Sequence, residues 1–296
     1  MTRLHADEVV VDAAAVQELL RVQLPELAQL PLLPVAEPGT SNALFRLGDE
    51  LCLRLPRTPG AAESLERELD CLPRLIRTLP MAVPEPVAVG QASSRYPLPW
   101  AVYRWLPGVP CQPGQLAENV AAARQLAQFI EQLQEHDVKG APASRRDRPL
   151  ASRVKESDQA IAALEGEVDA GKAARAWRRT LDAPAWTGEA VWIHGDLLPP
   201  NLLVDEAGER FAAVIDFGSV GCGDPAVDVI AAWTLFSGPA RAAYRSALTV
   251  DDGTWLRSAG MALHQALLIL PYYRHTHPAF CAMATRTARA VIDEFL

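Results

Sequence analysis

Two short runs near the start of the chain alternate apolar and polar residues. "ALFRLG" begins at Ala43 and "LCLRLP" begins at Leu51, and a Gly-Asp-Glu sequence lies between them. Alternation with a period of two is typical of strands that bury one face, and a short polar turn joins such strands into a hairpin. The pattern therefore predicts a β-hairpin over residues 43–56.

The spacing of the apolar residues changes after the hairpin. In "AAESLERELDCLPRLIRTL", Leu65, Leu69 and Leu72 recur at helical spacing. Two more strand-like runs follow, "PEPVAVG" and "WAVYRWL". Residues 35–106 are therefore predicted to fold in the order β-β-α-β-β, after a helix-like segment over residues 12–29.

The rest of the chain is predicted to be mainly helical. The segment "LPGVPCQPG", residues 106–114, has three prolines and two glycines and is predicted to separate two lobes, 1–106 and 107–296. Residues 190–218 are predicted to form strand, loop, strand, turn and strand, and "KGAPASRRDRP" is predicted to be a flexible loop. The predicted helices are 115–136, 151–169, 172–182, 225–236, 239–248, 254–271 and 278–295.

Composition and charge narrow the class of protein. Hydrophobic residues make up 49% of the 296 residues and charged residues 22%, which is typical of a folded globular protein. The net charge of −8 argues against binding to nucleic acid or to an anionic membrane. Five scattered cysteines, acidic residues near the start and the lack of a long apolar run predict a cytoplasmic protein with reduced thiols.

Polar side chains interrupt an apolar stretch in "AVWIHGDLLPPNLLVD", residues 190–205. A loop carboxylate such as Asp196 can accept a proton from a hydroxyl, and Asn201 offers a neutral oxygen that suits Mg²⁺. Further along, Asp216 ends the apolar run of "AVIDFG". In this order, the three residues predict Mg²⁺-assisted phosphoryl transfer with Asp196 as the base and Asn201 and Asp216 as metal ligands.

Two other interpretations use the same residues. Asp and Asn often only cap a turn, and His194 could join Asp196, Asn201 and Asp216 in a two-metal site for phosphoester hydrolysis. Hydrolytic sites of that kind usually need several His ligands, and most of the six His residues lie far from this loop in the sequence. The ordered set on strand-bounded loops favours phosphoryl transfer.

Three segments together resemble the aminoglycoside phosphotransferase family, whose members are antibiotic and small-molecule kinases. These are "WIHGDLLPPNLLV", "AVIDFGSVGCGDPAVDVIAAW" and "WAVYRWLPG", and the resemblance extends over residues 35–275. It implies an α+β, two-lobed, protein-kinase-like fold with an antiparallel N-terminal lobe and a helical C-terminal lobe. It also implies Mg²⁺, ATP or GTP as the phosphoryl donor, and a hydroxyl acceptor.

The resemblance assigns roles to individual residues. It implies that Asp196 is the catalytic base and that Asn201 and Asp216 bind Mg²⁺. His194 would shape the catalytic loop, and Asp228 would hold the backbone of that loop from a buried position.

On the nucleotide side, the resemblance implies that the backbone around Tyr103–Trp105 binds adenine and that "PGTSNALF", with Gly39 and Ser41, covers the phosphates. Arg54 stands where the family pattern has a phosphate-binding Lys. Its helix partner would be Glu68, with Glu66 as the alternative. Alternation places Arg54 on the opposite face of its strand from Leu53 and Leu55.

The acceptor is predicted to be less cationic than an aminoglycoside. The resemblance implies that the final helices line the acceptor site and that aminoglycoside kinases place acidic residues there. Residues 254–280 are instead largely apolar, as in "GMALHQALLILPYY". The prediction is a neutral or macrolide-like acceptor. The alternative is a non-catalytic nucleotide-binding protein of the same fold, because Arg54 replaces Lys.

Overall fold

The structure, a computed structural model, describes residues 8–35, 41–76 and 78–296. It divides into two compact units. The first contains the described residues up to 76, Ala82–Pro107 and Ile215–Ser219, and the second contains Thr78–Met81, Gly108–Val214 and Val220–Leu296. The units differ from the predicted lobes at residues 78–81, Pro107 and 215–219.

The first unit contains a five-stranded antiparallel sheet in the order β1-β2-β3-β5-β4. Its strands are β1 (Leu32–Pro34), β2 (Asn42–Leu47), β3 (Leu51–Pro56), β4 (Pro86–Gly90) and β5 (Trp100–Arg104), and its helices are α1 (Ala13–Gln23) and α2 (Pro59–Leu75). The predicted hairpin and the β-β-α-β-β order are confirmed. Sequence reasoning missed β1, since three residues that end in proline show no period.

The alternating residues of the hairpin divide between the two faces of the sheet. Phe45, Leu53 and Leu55 are buried in one cluster with Leu19 of α1 and its neighbours. Arg54 lies between two of these buried leucines and therefore points to the opposite face, as the alternation predicts. The sheet thus fixes which side of the unit carries the polar residues.

The second unit has two small sheets. One contains β6 (Val109–Pro110), β8 (Leu202–Val204) and β9 (Phe211–Val214), and the other pairs β7 (Val191–Ile193) with β10 (Gly221–Gly223). The predicted strands within residues 190–218 are confirmed. Strand β6 forms inside the predicted boundary segment, because proline is tolerated in an edge strand.

Helices make up most of the second unit. They are α3 (Val120–Gln134), α4 (Val154–Ala162), α5 (Ala170–Thr180), α6 (Ala226–Val229), α7 (Ala231–Thr234), α8 (Gly238–Ala247), α9 (Asp252–Tyr273) and α10 (Pro278–Phe295). The prediction of a single helix over 225–236 is wrong, because the helix is interrupted at Ile230. Residues on both sides of the break are buried, so an apolar run does not reveal it. Among the described residues, no helix is long and apolar enough to cross a membrane.

The predicted flexible loop is held in place over residues 142–147, which we call the strap. The N–H of Ser144 donates to the carbonyl of Cys222 at 2.9 Å, and the N–H of Cys222 donates to the carbonyl of Pro142 at 2.8 Å. A Cβ atom on Gly221 would lie 2.7 Å from the Pro142 oxygen. The strap therefore lies directly on β10, and glycine at 221 permits this approach.

A buried histidine connects α4 and α9. His264 is 3% exposed, and its Nδ1 lies 2.8 Å from Oγ of Ser157. Burial lowers the pKa of His264 to about 4, and the positive charge of Arg153 acts in the same direction. The unfolded chain, with a His pKa near 6.5, therefore binds a proton that the folded protein does not. The stability that His264 contributes is lost as pH falls from about 6.5 to about 4.

Replacing His264 by Gln is therefore expected to flatten the acid dependence of stability. Below pH 6.5 the free energy of unfolding of the wild type should fall more steeply than that of the variant, by up to about 1.4 kcal/mol per pH unit. Urea denaturation from pH 7.5 to 4.5 measures this. The exposed His275, changed to Gln, is the matched control and should keep the wild-type slope. Equal slopes for wild type and His264→Gln would contradict the prediction.

Candidate active site

The loop between β7 and β8 is anchored at its beginning by one carboxylate. The N–H groups of His194 and Gly195 donate to Oδ2 and Oδ1 of Asp228 at 2.6 and 2.8 Å. Asp228 is fully buried on α6. Burial raises the pKa of Asp228 to about 7, whereas the two N–H bonds favour its ionised form. Gly195 has φ +87°, a conformation that suits glycine.

The carboxylate of Asp196 is oriented by its own loop. The backbone N–H of Asp196 donates to Nδ1 of the buried His194 at 3.1 Å. Nδ2 of Asn201 donates to the backbone carbonyl and to Oδ2 of Asp196, both at 2.9 Å. The side chains of His194 and Asn201 therefore fix both the backbone and one carboxylate oxygen of Asp196.

Arg146 of the strap contacts the other carboxylate oxygen. Its Nη2 lies 3.4 Å from Oδ1 of Asp196, and its side chain is 49% exposed. Sequence reasoning did not single out this residue. The only signal was a basic run, "SRRDR", in an acidic protein, and such a run does not show which acid it contacts.

In the first unit, Arg54 bridges two carboxylates. Its Nη1 donates to Oε2 of Glu68 at 2.8 Å, and its Nη2 donates to Oδ1 of Asp216 at 2.9 Å. Burial disfavours the charge of Arg54, but the adjacent carboxylates outweigh burial and raise its pKa. Glu68 is fully buried on α2, whereas Glu66 is exposed. The structure thus pairs Arg54 with Glu68.

Asp216 has an unusual backbone conformation. With φ +65°, it is the only non-glycine residue among those described that has a positive φ. Asp adopts this left-handed region more readily than most residues, and such outliers often occur at functional sites. The N–H of the buried Phe217 donates to Oε2 of Glu68 at 2.8 Å, which holds the turn. The carboxylate of Asp216 is 45% exposed.

Asn42 on β2 is a second residue that sequence reasoning missed. When its amide is oriented with the oxygen toward the guanidinium, that oxygen accepts from Nε and Nη2 of Arg54 at 3.2 and 3.3 Å. Leu44 pairs directly with Arg54 across the strands, so Asn42 is the diagonal neighbour on the same face. The strand register could have identified it, but the apolar pattern does not set the register.

The residues predicted to bind adenine and to cover the nucleotide phosphates are less closely grouped. Gly39 lies outside the described residues, and Ser41 is exposed just before β2. Tyr103 is a buried side chain of β5, and the guanidinium of Arg46 lies 4.1 Å from the ring centre of Trp105. Their contact with nucleotide stays a prediction.

The backbone at the predicted adenine site is partly occupied. The N–H of Trp105 donates to the carbonyl of Glu50 at 2.7 Å, and the N–H of Arg104 donates to the carbonyl of Glu85 at 3.0 Å. These two N–H groups are used within the protein. Binding of adenine by the other backbone groups around Tyr103–Trp105 stays a prediction.

Comparison with known proteins identifies the family. The model of the phosphotransferase enzyme family, APH, matches residues 33–263. One curated protein, the uncharacterized protein YcbJ of Bacillus subtilis strain 168, is 38% identical over 61 residues, which is 20% of each protein. The family match covers most of the chain, whereas the match to YcbJ covers a small part of its length.

Solved structures share the fold over nearly the whole chain. The GDP complex of aminoglycoside 2'-phosphotransferase-IIIa has a TM-score of 0.73 and 17% identity, with 97% of this chain and 100% of that chain covered. Macrolide 2'-phosphotransferase MphH from Brachybacterium faecium has a TM-score of 0.62 and 25% identity, with 92% and 97% covered. The predicted kinase-like α+β fold is confirmed.

The site geometry and the family model agree on the same class of protein. One unit groups His194, Asp196, Asn201 and Asp228, and the other groups Arg54 with Glu68 and Asp216. The sequence-based prediction of a phosphotransferase is confirmed, and the chain belongs to the phosphotransferase enzyme family, APH.

Proposed function

We propose that the protein transfers the γ-phosphoryl group of ATP or GTP to a hydroxyl group of a small molecule. The observation that carries this proposal is the oriented carboxylate of Asp196, fixed at one oxygen by Asn201 on a loop that Asp228 anchors. Positioning dominates catalysis of phosphoryl transfer, so a rigidly held base is the feature to expect. Asp196 orients the acceptor hydroxyl and receives its proton.

The oxygen atoms of Asn201 and Asp216 suit Mg²⁺. Nδ2 of Asn201 already donates twice to Asp196, which leaves its Oδ1 as the atom for a cation. Asp216 offers a half-exposed carboxylate. Among the described residues, no group of three His, Cys, Asp or Glu side chains could hold a metal ion. A cation bound by few protein ligands, with nucleotide phosphates supplying the others, fits this arrangement best. Bound Mg²⁺ would offset the negative charge of those phosphates.

Arg54 is the proposed ligand of the nucleotide phosphates. Its guanidinium can pair with two oxyanions at once, and Glu68 holds one edge of it. A phosphate oxygen that replaces Asp216 on Nη2 would release that carboxylate for the cation. Asn42 keeps the plane of the guanidinium fixed during this exchange.

Asn42→Ala is therefore expected to weaken nucleotide binding on the order of tenfold, since it removes hydrogen bonds to a charged group. Lys lacks the Nε–H and Nη2–H groups that donate to Asn42. Asn42→Ala should therefore reduce nucleotide affinity much less in an Arg54→Lys background. Calorimetric titration of the wild type, both single variants and the double variant with ATP measures this coupling. An equal loss in both backgrounds would show that Asn42 does not act through Arg54.

The second unit also contains a cavity that could hold an acceptor. It has a volume of about 340 Å³, and its lining includes Leu150, Trp186 and Met261 together with Asp147, Asp224 and Arg257. Nε and Nη2 of Arg257 donate to both carboxylate oxygens of Asp224, at 2.6 and 3.1 Å. The lining also contains Arg148, which balances the charge of Asp147. Because Arg257 likewise pairs with Asp224, the lining has no net acidic charge and favours a neutral acceptor over a polycationic aminoglycoside.

The test is nucleotide diphosphate release with Mg²⁺ and either ATP or GTP, against aminoglycosides, macrolides, amino alcohols and sugars. We expect release to depend on an acceptor and to be faster with neutral hydroxyl compounds. Preference for aminoglycosides would contradict the proposed neutral acceptor but would still support the proposed phosphoryl transfer. Nucleotide binding with no release on any acceptor would instead favour the non-catalytic alternative, which the Arg at position 54 motivates.

A further inference from the structure

The candidate catalytic loop has no cation of its own. From His194 to Asn201 the sequence is HGDLLPPN, without Lys or Arg. Leu197 and Leu198, which follow Asp196, are both buried. Arg146 of the strap, fifty positions earlier in the chain, contacts the loop's carboxylate, with its Nη2 at 3.4 Å from Oδ1 of Asp196.

The two oxygens of Asp196 have different partners. Oδ2 accepts from Nδ2 of Asn201 at 2.9 Å, within the loop itself. Oδ1 contacts Arg146, whose side chain is 49% exposed. An acceptor hydroxyl that gives its proton to Oδ1 thus arrives beside the guanidinium of Arg146.

The strap that carries Arg146 is built into the fold. Besides its bonds to β10, it is held by Arg153, whose Nη2 donates to the carbonyl of Arg146 at 2.8 Å and whose Nε donates to that of Arg148 at 3.0 Å. Burial, and then the charges of Arg148 and Arg146, lower the pKa of Arg153 to about 10. Nη2 of Arg148 donates to Glu156 at 3.2 Å. The backbone of Arg146 is therefore fixed, and its half-exposed guanidinium lies beside Asp196.

Stability does not account for this contact. A half-exposed ion pair at 3.4 Å contributes little to stability, because water screens it. A role in phosphoryl transfer explains the contact between Arg146 and Asp196 better. A phosphoryl group that approaches Asp196 brings negative charge next to its carboxylate. A guanidinium at that point offsets the repulsion and can donate two hydrogen bonds to phosphoryl oxygens.

We propose that Arg146 is a catalytic residue that binds the phosphoryl group during its transfer. The inference rests on the proposed phosphotransferase reaction. The bond from phosphorus to the leaving diphosphate oxygen breaks, and a bond from phosphorus to the acceptor oxygen forms. The hydroxyl proton goes to Asp196. Arg146 stays protonated throughout and leaves Oδ1 of Asp196 to donate to the phosphoryl oxygens.

The first test compares Arg146→Gln, Arg146→Lys and Arg124→Gln, the last being a control at an exposed arginine of α3. We expect Arg146→Gln to lower kcat at least about 10²-fold, with the KM of the acceptor and the Kd of the nucleotide within about twofold of wild type. Lys should restore part of kcat, and Arg124→Gln should be close to wild type. Equal losses at 124 and 146, a higher acceptor KM with unchanged kcat, or faster turnover without Arg146 would each overturn the proposal.

A second test needs no acceptor. Aluminium fluoride with ADP and Mg²⁺ mimics a phosphoryl group in transfer, and the wild type should bind ADP more tightly in its presence. We expect Arg146→Gln to bind ADP normally and to lose at least about tenfold of that enhancement. Full enhancement in the variant would overturn the role of Arg146 but would leave the proposed function intact. A wild type that binds no nucleotide would overturn the proposed function as well, so the two failures are distinguishable.

Discussion

Asp196→Asn is expected to lower turnover at least about 10²-fold while nucleotide affinity stays within about twofold of wild type. The amide keeps the shape of the side chain, and Asn201 and His194 remain to hold the loop. The variant loses the ability to accept the proton of the acceptor hydroxyl. Initial rates of diphosphate release and calorimetric binding of ATP with Mg²⁺ measure the two quantities.

The matched control for this variant is Asp158→Asn, which makes the same chemical change at an exposed position of α4. It should retain wild-type turnover. If Asp196→Asn kept wild-type turnover, Asp196 would not be the base. If it lost ATP affinity along with turnover, the change would have disturbed the fold or the nucleotide site.

Asp216→Asn is expected to remove the Mg²⁺ dependence of ATP binding and to lower turnover at least about 10²-fold. Asn tolerates the left-handed backbone of residue 216 and keeps an oxygen, but it lacks the negative charge that attracts a divalent cation. Asp216→Ala removes the oxygen as well and should abolish turnover. Calorimetric titration with ATP, with and without Mg²⁺, measures the effect.

The control for this prediction is Asp70→Asn on the exposed side of α2. It should leave the difference between ATP affinities with and without Mg²⁺ unchanged. If Asp216→Ala were fully active, the metal would bind elsewhere. If Asp216→Asn weakened ATP equally in both conditions, Asp216 would act only through its ion pair with Arg54.

The resemblance to the family, not a local pattern, predicted the pairing of Arg54 with a glutamate of α2. Local periodicity supported one part of it, because the alternation of β3 places Arg54 on the opposite face from Leu53 and Leu55. The structure brings the two side chains to 2.8 Å. It also selects Glu68 over Glu66, a choice that the sequence left open because burial of one helix face depends on what packs against it.

Contacts between distant segments were not predictable from the sequence. Arg146 reaches Asp196 only because the strap lies along β10, and no local period describes that packing. The same long-range pairing turns a segment predicted to be flexible into an ordered one. Asn42 was missed for a related reason, since its position diagonal to Arg54 depends on strand register.

The central claim is that this protein is a kinase of small molecules, and transfer of the radiolabelled γ-phosphoryl group of ATP tests it most directly. The protein is incubated with labelled ATP, Mg²⁺ and each acceptor, and the products are separated. We expect label on a hydroxyl compound with the wild type and at least about 10²-fold less with Asp196→Asn. Label that stays on nucleotide, in a protein that binds ATP with Mg²⁺, would contradict it.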